Sequence, residues 1–136
     1  MNFRALIFVM FPLLIVGCGH ARPLTDSDIT DKIVGNWKTD AVLPTGATAS
    51  GTVSIFRDGS LTCSTKFVRE ARTLNIFYTG TWQVDKGLLI ETIKTTSHSN
   101  LLAVGLVTRD KILRLDDKKL VFEVESGNII TRERSP

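Results

Sequence analysis

The sequence predicts an all-β domain behind a cleaved leader, and three observations predict it. An apolar run at the start of the chain ends in Cys18. Beyond residue 50, apolar and polar side chains alternate with period two. Turn-forming residues then recur every ten or so positions, at Asp58-Gly59, Asp85-Lys86-Gly87, Asp116 to Lys119 and Ser126-Gly127. Regular short strands punctuated in this way indicate a β-sandwich or a β-barrel.

The leader comes first. Arg4 and the free amino terminus supply positive charge, and Ala5 to Val16 are apolar throughout, with Pro12 among them. A membrane span needs ~20 apolar residues, so this run is short for one and fits a secretory signal closed by the small Gly17. Ile15, Val16, Gly17 and Cys18 resemble the lipobox of bacterial lipoproteins: a branched aliphatic residue, a second aliphatic one, then Gly before the Cys. The resemblance implies a signal peptide over residues 1–17, cleavage before Cys18 and a thioether-linked diacylglycerol on that cysteine. A fatty acyl (palmitate-type) chain on its amine would complete the anchor. Two or three chains hold a protein stably on a membrane where one does not. Gly19 stands where Asp would favour retention at the inner membrane in such lipoproteins. The expected location is therefore the outer membrane, facing the periplasm.

Cleavage there leaves residues 18–136, one domain rather than two. It removes Arg4 from the 17 basic side chains, so 16 face 14 acidic ones, a net charge of about +2. That balance gives no reason to expect a nucleic acid partner. Lys66, Arg69 and Arg72 form a local basic cluster, read as a solvated loop. With Cys18 lipidated, Cys63 has no partner for an internal disulfide, and its row mates Leu61 and Phe67 place it in the core.

Residues 18–24 read as a tether and 25–136 as the folded domain. Thr25 to Asp28 are capping residues, and Ile29, Ile33 and Val34 share a face, so a two-turn helix is expected to end at Gly35. Strands follow over Thr52 to Ile55, Leu61 to Phe67, Ile76 to Val84, Leu88 to Ile93, Lys111 to Leu115, Leu120 to Glu125 and Asn128 to Arg132. Leu101 to Val107 fits strand or helix. Ala41 to Ser50 and Thr92 to Asn100 read as long polar connections.

Gly35-Asn36-Trp37 and Gly80-Thr81-Trp82 each place a glycine beside a tryptophan on one strand face. In a strand this leaves room next to a large ring. At these residues the chain resembles the bacterial lipocalin-like domains of the calycin type, over about Thr25 to Arg134. The resemblance implies an antiparallel up-and-down barrel of about eight strands, led in by a short helix. Its structural signature here is Gly35, Trp37 and a late arginine stacked on that tryptophan, with Arg132 the first choice and Arg134 the other. It also implies a ligand-binding interior, for which Phe67, Tyr78, Trp82 and Phe122 are the candidates. The domain is shorter than full lipocalins, and small barrels are often filled by their own side chains.

Chemistry-bearing patterns are sparse. The two histidines, His20 and His98, are far apart, and no metal-ligand spacing accompanies them. Ser97-His98-Ser99 lacks a nearby orienting carboxylate, and Asp40, Asp85, Glu91 and Glu123 read as turn or exposed strand positions. The expectation is a non-enzymatic protein without a cofactor. Its barrel would bind a small apolar ligand; alternatively, a filled barrel would dock through its loops on an envelope protein.

Overall fold

The structure, a computed structural model, describes residues 22–136. The leader, Cys18 and most of the tether lie outside the described residues. A short helix, α1 (Asp26–Ile33), leads into eight strands: β1 (Gly35–Val42), β2 (Thr48–Ile55), β3 (Ser60–Arg69), β4 (Arg72–Asp85), β5 (Leu88–Thr96), β6 (Val107–Leu115), β7 (Lys119–Glu123) and β8 (Ile129–Ser135). Each strand pairs antiparallel with the next, and β8 returns to β1, so the sheet is a closed up-and-down barrel. Closure leaves no sheet edge exposed to other chains.

The helix forms where its caps dictate. Thr25 accepts from the Asp28 amide, and the Asp28 carboxylate accepts from the Thr25 amide and hydroxyl, a reciprocal capping box. These bonds hold the Asp28 carboxyl down at about 2. Ile29 and Ile33 point into one end of the barrel and are buried there. Asp26 fastens the helix to the β4–β5 turn, accepting from the amides of Lys86 and Gly87 at 2.7 and 2.9 Å. The helix ends one residue sooner than the sequence suggests, with Val34 as its cap and Gly35 already in β1.

Inward-facing residues then fill the helix end: Trp37, Val53, Ile55, Leu61, Trp82, Leu89, Leu115 and Leu120 join Ile29 and Ile33 in one core cluster. Both indoles are satisfied, Trp37 by donating to the Ile33 carbonyl and Trp82 to that of Phe56, each at 2.8 Å. Arg134 closes this end. Its guanidinium lies 4.2 Å from the Trp37 ring centroid, and it donates to the carbonyls of Lys32, Val34 and Asp117. The late arginine on the tryptophan is thus Arg134, not Arg132. The two lie on the same side of β8, and the second sits one pleat nearer the helix, level with Trp37.

Neither glycine of the two tryptophan motifs simply makes room for its own tryptophan. A Cβ on Gly35, whose φ is +137°, would run into the Arg134 guanidinium. A Cβ on Gly80 would strike the backbone of Thr92, at the point where the β4–β5 register shifts. The connections also differ from expectation. Ala41 to Ser50 is strand except for 43–47, and β5 continues to Thr96, because the polar threonines and serines there occupy the outer face of long strands. Lys66, Arg69 and Arg72 are exposed positions on β3 and β4 rather than a loop. Residues 97–106 form the longest connection, with the amides of Leu101 and Leu102 both donating to the His98 carbonyl.

Arg134 supplies three charge-assisted hydrogen bonds and one ring contact, so Arg134→Ala should cost about 3 kcal/mol of unfolding free energy. Arg134→Lys should recover only part of this, because an ammonium lacks the planar fork. Urea midpoints of the three proteins measure both.

Candidate functional site

The inner face changes character halfway along the barrel. Toward the end opposite the helix, inward positions of β1 and β2 carry the small residues Ala41, Ala49 and Gly51, and the space they leave is not filled from other strands. A cavity of about 530 Å³ results, reached between the connections at Leu43, Leu101 and Ser126. Its walls are largely apolar, including Phe67, Ile76, Phe122, Val124 and Ile130. Val42, Leu101, Val104 and Ile129, in or beside the connections at this end, are exposed apolar residues.

The inner end of the cavity is polar. Glu91 from β5 and Arg132 from β8 meet across the lumen, Oε1 to Nη1 at 3.6 Å, with side chains only 5% and 11% exposed. The Tyr78 hydroxyl donates to Glu91 Oε2 at 3.4 Å, and the Arg132 guanidinium lies 4.7 Å from the Phe122 centroid. Burial, reinforced by the Glu91 charge, pushes the Tyr78 phenol above its ordinary range, so it remains a neutral donor. Asp110 on β6 belongs to the same group. Burial and then the Glu91 carboxylate raise it to about 6, against the pull of Arg132. Cys63 also lines this space, 7% exposed, with its sulfur 3.5 Å from the Thr65 hydroxyl.

Of the residues singled out from sequence, Phe67, Tyr78 and Phe122 line the cavity and Trp82 does not. Trp82 faces inward as expected, but it is four residues along β4 from Tyr78, roughly 13 Å deeper, inside the closed core. Arg132 lines the cavity instead of stacking on Trp37. Glu91, read as an exposed strand position, is buried. Its neighbours signal this: Leu89, Glu91 and Ile93 form one inward row with a charge in its middle. Asp110, opposite Leu89 in the β5–β6 ladder, is the other residue the sequence reading missed. Ser97 Oγ accepts from the Phe77 amide and lies 2.9 Å from His98 Nδ1, but neither residue lines the cavity. Asp40, Asp85 and Glu123 do not line it either.

Comparison with solved structures now adds one point. A lipocalin-like protein from Bacteroides uniformis ATCC 8492 superposes with a TM-score of 0.54 at 12% identity, over 76% of this chain and 99% of that one. The fold is lipocalin-like. A de novo designed fluorescence-activating β-barrel also aligns, with a TM-score of 0.48 and 13% identity, over 82% of this chain and 100% of the design. No family model and no curated protein matches the sequence.

The raised Asp110 carboxyl sets a pH dependence of known sign. The unfolded chain releases this proton near 3.8 and the folded one near 6. Its contribution to stability is therefore full below about pH 4 and is lost as pH rises through about 6. Asp28 and Asp116, both lowered to about 2, act in the opposite sense and below that window. Thermal midpoints of Asp110→Asn should be flatter between pH 4 and 6.5 than those of the parent, and higher at pH 7.

Proposed function

We propose that the protein is a lipid-anchored lipoprotein of the bacterial envelope whose barrel binds a small, mainly apolar molecule through its open end. One observation carries the reading: the 530 Å³ cavity, apolar along its walls and polar only at its inner end. Ligand sites typically span ~300–1,000 Å³ and combine apolar walls with a few convergent polar groups. A barrel of this length has room to fill itself with side chains, as its helix half does; the open half is left unfilled. This favours ligand binding over the alternative of a solid barrel that works only as a docking module. No chemical step is assigned to it.

The anchoring half of the proposal rests on Ile15-Val16-Gly17-Cys18 and the apolar run before it. The domain adds a geometric argument. The chain enters at the closed end, where Asp26 is tied to the β4–β5 turn. A lipid on Cys18 would therefore hold the closed end toward the membrane and turn the mouth toward the periplasm.

Filling the cavity tests the first half. Ala49→Trp should abolish uptake of a neutral fluorescent apolar probe while the thermal midpoint stays close to that of the parent. Undiminished probe binding in that variant would place binding elsewhere and defeat the reading. For the anchor, Cys18→Ser should move the protein from the membrane to the soluble periplasmic fraction; retention on the membrane would rule the lipid out.

A further inference from the structure

Glu91 and Arg132 reach across the lumen but stop short of a hydrogen bond. Glu91 Oε1 and Arg132 Nη1 face each other at 3.6 Å, both shut off from solvent, and neither has a hydrogen-bond partner among the described residues. Buried ions are normally fully partnered, because a charge taken out of water recovers its hydration only through close contacts. Both residues are held in place by other contacts. Tyr78 binds the second Glu91 oxygen, and Phe122 lies under the arginine. The gap between them opens on the cavity, which both residues line.

A group that satisfies both atoms must accept from Nη1 and donate to Oε1. A carboxylate or phosphate accepts but has no proton to give. It would also meet the carboxylates of Glu91, Asp110 and Glu125 against a single guanidinium. An ammonium donates but cannot accept, and it would arrive beside the Arg132 charge. An amide does both, but from two different atoms. A hydroxyl does both from one oxygen, at about 2.8 Å from each partner, and brings no charge to desolvate.

Building on the ligand-binding reading above, we propose that the cavity is selective for neutral apolar alcohols, whose hydroxyl bridges Glu91 and Arg132 at its inner end. The hydrocarbon part lies along Phe67, Ile76 and Ile130 toward the mouth. A lone water can bridge the same two atoms, so the test must ask whether a hydroxyl attached to the apolar chain gains over the chain alone.

Four ten-carbon probes make the comparison: 1-decanol, its methyl ether, decylamine and decanoic acid. Each competes with a neutral fluorescent apolar dye on the Gly19–Pro136 chain, which contains every strand of the barrel. The alcohol should bind at least about tenfold more tightly than the other three. The ether is the informative control, since it accepts a hydrogen bond and cannot donate one. In the double variant Glu91→Leu/Arg132→Met, which removes both charges together, alcohol and ether should bind alike while the dye is still taken up. If the ether, the amine or the acid matches the alcohol in the parent protein, hydroxyl selectivity is wrong and the binding reading survives. If the double variant folds and retains the alcohol's advantage, the bridging role of the pair is wrong. If the double variant fails to fold, the parent series alone decides. If the parent binds neither dye nor any probe, the binding reading itself falls.

Discussion

Arg134 joins parts of the chain that no sheet hydrogen bond connects. Its guanidinium takes up the carbonyls of Lys32 and Val34 at the end of α1, reaches the carbonyl of Asp117 in the β6–β7 turn, and covers the indole of Trp37. Carbonyls at a helix terminus lack intrahelical partners and carry the negative end of the helix dipole, so a cation there is doubly favoured. The planar fork adds direction: one side chain fixes helix, turn and first strand relative to one another. Gly35 is part of the same arrangement, since a side chain at that position would occupy the space of the guanidinium. With one end sealed by this arginine, the helix and two tryptophans, the domain gains enough core to leave its other end hollow.

The hollow end presents a different balance of forces. Glu91 and Arg132 are ions in a mostly apolar lumen, and a buried pair of this kind contributes little net stability compared with well-packed hydrophobic residues. Its cost is accepted in the half of the barrel where packing is already incomplete. Asp110 extends the same group, and its raised pKa follows from burial beside the Glu91 charge rather than from any contact of its own. Small residues on β1 and β2 and ions on β5 and β8 therefore belong together: the first create the space and the second define its inner end.

Much of the architecture is legible in the sequence, because alternation and turn residues are local signals. Asp58-Gly59 and Asp85-Lys86-Gly87 set hairpins where they should, and the row from Leu61 to Phe67 does face inward. What alternation reports is the side of the sheet a residue takes, never its height along the barrel. Trp82 and Tyr78 share a side and differ in function for that reason, as do Arg132 and Arg134. Height is decided by which strands lie opposite, and those pairings are known only once the barrel closes. Glu91 was missed through a composition bias: a carboxylate suggests the surface, although Leu89 and Ile93 on either side mark its row as inward. The cavity itself could not be read at all, since it is a sum of small volumes at Ala41, Ala49 and Gly51 against bulk elsewhere.

The ring is closed by a seam between β1 and β8, where Asn36 meets Ser135 and Thr39 meets Arg132. Those partners stand at opposite ends of the domain, so a ribosome must release nearly the entire chain before the last ladder can form. Contacts of such sequence separation are slow to make. Until then the nascent polypeptide has an unpaired first strand and lacks Arg134, and its helix has nothing to hold it in the barrel end. A chain with this topology is consequently late to fold during synthesis, which keeps it threadable for as long as it is being made.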